Sequence, residues 1–253
     1  MLTIFFKEIN TFLGSLIAYI VIAVFLIAMG LMVWLFPDTN VLDGGFANLD
    51  TLFSVAPYIF MFLIPAITMR TFAEEKKTGT MELLLTRPLT DWNIILGKYF
   101  ASWILVIFAL IPTILYYFTV RYLSMVEVKN KANEIIFASN MDYAGIMGSY
   151  IGLALLGAIF TAIGIFASSI SKDQIISFIL AVFLCFLIYY GFTAIANINN
   201  TTDFSYFVMQ LGIDYHYSAL SKGLIDSRDI IYFLSVIFLM LLATKLVLGS
   251  RKW

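Results

Sequence analysis

The chain has 253 residues, of which 62% are hydrophobic and 12% charged, with a mean hydropathy of +0.96. Soluble domains carry about 45–50% apolar and about 25% charged residues, so a water-soluble globular fold is excluded and a chain with several membrane spans is implied. The formal net charge of −1 argues against nucleic acid as a partner.

Residues 1–13, MLTIFFKEINTFL, read as an amphipathic helix. Leu2, Phe5, Phe6, Ile9, Phe12 and Leu13 share one face; Thr3, Lys7, Asn10 and Thr11 share the other. Such a helix lies in the membrane interface. It does not read as a signal peptide, because the apolar run behind it is too long and no small-residue cleavage site follows. Residues 14–36 carry no charge and suffice to cross about 30 Å of hydrocarbon, with Trp34 and Phe36 at the far interface. Loop 37–51 holds Asp38, Asp43 and Asp50 but no Lys or Arg. The second span, 52–70, contains Pro57 and Pro65, which should kink it and free carbonyls that neighbouring helices must satisfy.

The third span covers 92–120, with Pro112 in its outer third and Lys98 near enough to its inner end to snorkel. Loop 121–141 is polar, mixed in charge, and has room for a short helix. The fourth span, 143–170, is charge-free and rich in small residues. Gly145, Gly148 and Gly152 fall on one face; Gly157, Thr161, Gly164 and Ser168 line a face further along. Small residues mark close helix approach in membranes, here read as packing inside one subunit rather than across a dimer. Ser171, Lys172 and Asp173 make a tight inner turn before the fifth span, 174–196, which has Tyr189 and Tyr190 at its outer end. In 197–229, Phe204, Phe207, Val208 and Leu211 repeat at helical spacing and predict one or two short helices at the outer interface. His216 reads there as an interfacial polar residue without partners, and Cys185 as apolar filler rather than a reactive thiol. The last span is 230–248, with Lys245 snorkelling beside Arg251 and Lys252.

Six spans place both termini on one side. With the termini in the cytoplasm, ten of the 15 Lys and Arg residues lie inside, as the positive-inside rule requires. That orientation also puts Arg70–Lys98, the most charged short stretch of the chain, at the cytoplasmic surface. Within it, Met81, Leu84 and Leu85 form one helical stripe, predicting a short helix over Met81–Thr86. Thr78, Gly79 and Thr80 suit its start, and Pro88 stops it because the residue before a proline leaves the α region. Such a helix either lies passively in the interface or forms a rigid knob that docks a soluble partner.

These residues resemble a known family. Glu74 and Glu75, Gly79-Thr80, Glu82-Leu83-Leu84, Thr86-Arg87-Pro88 and Gly97-Lys98 are together similar to the loop of ABC-2-type permeases, the membrane subunits of one class of ABC transporter. The final stretch, SKGLIDSRDIIYFLSVIFLMLLATKLVLGSRKW, and the overall layout resemble the gliding-motility-associated permease subunits of that family. The likeness covers nearly the whole chain. It implies one all-α integral membrane domain over residues 1–253. That domain has six spans, an N-terminal interfacial helix, a cytoplasmic coupling helix between spans two and three, and short outer helices between spans five and six. It further implies an ATPase-coupling surface at Glu74, Glu75, Gly79, Thr80, Met81, Glu82, Leu83, Leu84, Leu85, Thr86, Arg87 and Pro88. Glu74 and Glu75 would make charge contacts near the ATPase or the N-terminal helix. The implied partners are an ABC ATPase subunit, a second permease subunit, identical or related, and the lipid bilayer of the inner membrane.

Chemistry of its own is not expected. The chain has no G-x-x-x-x-G-K-[ST], no H-E-x-x-H, no G-x-S-x-G and no Cys/His cluster, so no cofactor, metal or catalytic residue is assigned. Mid-span ionisable groups, which ion-coupled carriers use, are absent from the six runs. The energy must arrive from outside. The expected function is an exporter-type permease subunit serving gliding motility; the alternative is a non-transporting scaffold that recruits a soluble partner through the same loop.

Overall fold

The computed structural model describes residues 1–37, 39–42, 47–85, 90–129, 135–139, 141–198 and 203–250. Its helices in chain order are α1 (Leu2–Leu13), α2 (Leu16–Trp34), α3 (Asp50–Thr68), α4 (Ala73–Lys77), α5 (Thr80–Leu85), α6 (Asp91–Leu110), α7 (Ile114–Leu123), α8 (Tyr143–Ile170), α9 (Gln174–Ile198), α10 (Asp203–Gln210), α11 (Ile213–Leu220) and α12 (Ser227–Gly249). Among the described residues, six helical segments are long and apolar enough to cross a membrane: α2, α3 running on through α4, α6 with α7, α8, α9 and α12. They make an all-helical bundle.

Helix α8 is its axis. The apolar window of α8 is 78% buried, against 22% for α2, α9 and α12. Helices α3, α6, α9, α11 and α12 all pack on α8. The exposed side chains of the outer helices are large and apolar, among them Leu16, Ile27, Ile175, Ile231 and Leu246. In water such a surface would aggregate; in a bilayer it is the solvated face.

The glycines of α8 explain how it serves as axis. A Cβ on Gly148 would stand 2.6 Å from the Gly223 carbonyl oxygen, and one on Gly152 would stand 2.7 Å from Leu220 Cβ. Gly145 faces the Gly223 backbone so closely that a Cβ on Gly223 would overlap it. A Cβ on Gly157 would meet Val106 of α6 at 3.0 Å, and one on Gly164 would overlap Thr68 Oγ1 of α3. Each glycine thus admits a neighbour's backbone or side chain from within the same chain.

Prolines break the spans where neighbours supply the lost partners. Pro57 inside α3 frees the Phe53 carbonyl, and Tyr217 Oη of α11 donates to it at 2.8 Å. Pro112 divides the third span: α6 ends at Leu110, a 3₁₀ turn covers Ile111–Thr113, and α7 follows. Thr113 Oγ1 donates to Leu110 O at 2.7 Å and Tyr150 Oη donates to Thr113 O at 3.1 Å, so side chains close the break.

Two local expectations are corrected. Past the end of α7 at Leu123, loop 121–141 contains no further helix among its described residues. It forms an antiparallel hairpin, β1 (Met125–Lys129) on β2 (Ile135–Ser139), with Glu127 opposite Phe137. The physical reason is the β-branched content and alternation of Met-Val-Glu-Val-Lys and Ile-Ile-Phe-Ala-Ser. His216 is not without partners. Its Nδ1 lies 2.7 Å from Asp229 Oδ1, its Nε2 lies 2.8 Å from Gln210 O, and its ring stacks on Tyr232 at 3.9 Å. In the imidazolium form the ring donates to both acceptors, tying α10 and α11 to α12. The partners come from residues 6 and 13 positions away, which no helical stripe indicates.

Candidate coupling site

The bundle end that carries α4 and α5 is assembled around a buried cation. Lys98, in the second turn of α6, is 1% exposed. It therefore does not snorkel to the surface, contrary to expectation. Its ammonium has three protons and meets three acceptors: Thr71 O at 2.6 Å, Glu8 Oε1 at 2.8 Å and Glu75 Oε1 at 3.0 Å. The Phe72 ring lies beneath it, 5.1 Å from Nζ to centroid. Taking an ammonium out of water costs several kcal/mol unless every proton is satisfied by charged or strongly polar acceptors. Here Glu8 and Thr71 accept hydrogen bonds and Glu75 lies at ion-pair distance, and the three groups belong to α1, the link between α3 and α4, and α4. The cation is thus a staple for three segments.

Lys7 of α1 extends the cluster, donating to Glu75 Oε1 at 3.0 Å. Burial pulls its ammonium down, but the hydrogen bond to Glu75 and the charges of Glu75, Glu8 and Glu74 outweigh it, so the pKa rises above the ordinary 10.5. A raised lysine contributes stability that is complete below 10.5 and lost as the pH climbs through the folded value. Beside the cluster lies a cavity of about 250 Å³, lined by Lys7, Glu8, Arg70, Glu74, Glu75 and Lys98 among others. Glu75 Oε2 and Arg70 Nε are buried there without a hydrogen-bond partner.

Helix α1 reaches the cluster because Gly97 of α6 leaves room for it: a Cβ there would stand 3.2 Å from Ile4. Ile4 is the one buried residue of α1, while Leu2 and Phe6 of the expected apolar face are exposed. Leu2 and Phe6 are available to lipid, Phe12 and Leu13 of the same face pack against the core, and Glu8 is turned to the protein.

Helix α4 is five residues long and was not anticipated as a separate element. Its first amides, Phe72 N and Ala73 N, donate to Ser168 Oγ of α8 at 3.0 and 3.1 Å. A side chain from another helix so supplies the N-terminal acceptor that a helix start lacks. At its other end Lys76 Nζ donates to Ser169 O, and Lys77 pairs with Asp173 at 3.0 Å. The Lys77 hydrogen bond, then the Ile175 amide, hold the Asp173 carboxyl below its ordinary range. A lowered carboxyl contributes stability that is complete above its unfolded pKa and lost as pH falls through the folded one. Spin labels at Glu82 and Lys172 should therefore give a narrow distance distribution at neutral pH that broadens below about pH 4, as Lys77 is released.

Gly79 makes the turn from α4 to α5 with φ +72°, a left-handed conformation that glycine adopts without strain. Thr78 Oγ1 donates to Glu74 O at 2.9 Å and lies 2.9 Å from Thr80 Oγ1, closing the turn. Helix α5 begins at Thr80, one residue before the expected start. Met81 is buried, Glu82 is exposed, and Glu74 is exposed. The side chains of Leu83, Leu84 and Leu85, and all of Thr86, Arg87 and Pro88, lie outside the described residues. Of the expected coupling residues, then, only Glu75 enters the charge cluster. Lys7, Glu8, Lys98 and Ser168 were the unanticipated participants. No periodic signal in the sequence picks them out.

Nothing in this arrangement supplies a nucleophile with its base. Among the described residues, no three His, Cys, Asp or Glu side chains converge as metal ligands. What the geometry provides is a short helix that follows α4 across the Gly79 turn, with α4 bonded to α1, α6 and the bundle axis. None of the curated proteins compared with the chain matches it. A family model described as ABC-2 family transporter protein matches residues 35–248, which include every span after the first and the whole α4–α5 segment. With six apolar spans and a match over most of its length, this chain belongs to the ABC-2 transporter family, as a multi-pass membrane permease subunit.

Proposed function

We propose that the chain is the membrane-spanning permease of an ATP-driven exporter, with α5 as its coupling helix. Both termini, α4 and α5 would face the cytoplasm, and Thr80–Arg87 would dock into a separate ATPase subunit. The observation that carries this reading is the double anchorage of α4. Force applied to α5 would pass through Gly79 into α4, then through Ser168 and Ser169 into α8 and through Glu75 and Lys98 into α1 and α6. Packed helices shift between discrete arrangements rather than deforming continuously, so such a push moves spans as rigid bodies. Two permease subunits, identical or related, would pair above two ATPases. The resemblance of residues 221–253 to gliding-associated permeases supports a role in gliding motility, through export of a cell-surface component.

The exposed Glu74 and Glu82 suit contact with basic groups on the ATPase. Replacing Leu84 with Asp should abolish ATPase capture in a pull-down from membranes while leaving insertion and fold intact. Capture at the wild-type level would remove α5 from the coupling role.

A further inference from the structure

At the bundle end opposite α4 and α5, a cavity of about 630 Å³ opens between the starts of α3 and α8, the end of α7 and the turn after α11. That volume lies within the range of about 300–1,000 Å³ usual for small-molecule sites. Its walls divide chemically. Leu42 and Leu123 offer exposed apolar surface, while Asp50, Asp142 and Lys222 supply charge.

The charged groups are held in place. Asp142 caps α8, its Oδ1 accepting from Gly145 N at 3.0 Å. Asp50 opens α3, and its Oδ2 accepts from Asn48 Nδ2 at 2.7 Å. Lys222 rides on a turn fixed from both sides: Ser149 Oγ donates to Ser221 O at 2.9 Å, and Gly223, at φ +77°, is seated against Gly145. Neither carboxylate and no ammonium of this set pairs with another described side chain of opposite charge.

An occupant that carried only negative charge would be repelled by two carboxylates. One that carried only positive charge would be repelled by Lys222, and a wholly polar one would leave Leu42 and Leu123 in contact with water. We infer that this cavity binds a zwitterionic amphiphile. Its ammonium is held by Asp50 and Asp142, its phosphate by Lys222, and its apolar stem lies on Leu42 and Leu123. The inference stands apart from the coupling assignment, since no residue is shared.

The test is native mass spectrometry of the full chain released from a neutral detergent, titrated with lysophosphatidylethanolamine or lysophosphatidylglycerol. The two share a phosphate and a stem, and only the first has an ammonium. The first should bind at least about tenfold more tightly, the worth of one good charge-assisted contact. The double variant Asp50→Asn, Asp142→Asn keeps capping groups and should retain the wild-type unfolding midpoint while losing that preference. Lys222→Gln should weaken both ligands and keep it. Equal binding of the two lipids, or an unchanged preference in the Asp50→Asn, Asp142→Asn variant, would overturn the assignment. Competition by phosphoethanolamine identifies the source. Displacement at similar concentration would show that the stem contributes nothing and would overturn the amphiphile, and failure to displace supports a membrane amphiphile whose stem is required.

Discussion

Replacing Lys98 with Met should destabilise the protein by about 3–5 kcal/mol, the cost of breaking a buried ion pair by removing one partner. The substitution keeps a similar apolar stem, so packing against Phe72 survives and the loss is electrostatic. Glu8 and Glu75, at 2.8 and 3.0 Å from one ammonium, would be left facing each other with Lys7 alone to offset them. For a chain of this size the unfolding midpoint should fall by about 6–20 °C. Tryptophan fluorescence of the purified protein in nanodiscs measures it. The triple variant Lys98→Met, Glu8→Gln, Glu75→Gln should recover most of the loss, because replacing a whole buried charge set is far less costly than orphaning part of it. A Lys98→Met protein as stable as wild type would mean that the cluster is solvated and staples nothing.

The second large effect is expected at Gly148. Leucine there must displace the Gly223 carbonyl, 2.6 Å from the new Cβ, and Gly223 Cα at 2.9 Å. Backbone cannot swing aside as a flexible side chain can. The start of α8 would be forced from the 221–223 turn, at about 3 kcal/mol, the upper end of ordinary overpacking costs. Gly249→Ala is the matched control. Nothing lies within 4 Å of a Cβ at Gly249, so its midpoint should stay at or slightly above wild type. Equal midpoints for the Gly148→Leu and Gly249→Ala variants would show that α8 does not depend on this close approach.

The spans were legible in the sequence because a bilayer imposes a simple rule, a long apolar run with few charges, and every expected span lies over an observed one. The short helix after Gly79 and the outer helices after Asp203 were legible for a related reason: their apolar residues repeat at helical spacing. Yet periodicity reports amphipathicity, not direction. Phe204 and Phe207, on the stripe that revealed α10, are exposed. The hairpin at 125–139 was missed because its strands are five residues each, shorter than the window in which alternation stands out.

What no periodic pattern could reveal is the charge cluster. Glu8, Glu75 and Lys98 are far apart in the chain, and each alone has the look of a surface residue. Only the fold brings both carboxylates within 3.0 Å of the Lys98 ammonium. Ser168 is the same lesson in a neutral group. It reads as a small residue that permits close packing, and it also caps α4 from outside that helix. Pro57 was legible in half: the sequence requires a donor for the freed carbonyl, but that Tyr217 provides it depends on where α11 lands.

The account rests on α4 and α5 lying on the cytoplasmic side, and one labelling experiment addresses that directly. Glu82 is exposed on α5, and the single native cysteine, Cys185, is fully buried, so background is low. The Glu82→Cys protein should react with a membrane-impermeant maleimide in inside-out vesicles and stay unmodified in right-side-out ones. Modification in right-side-out vesicles would place α5 on the outer face and contradict the coupling role.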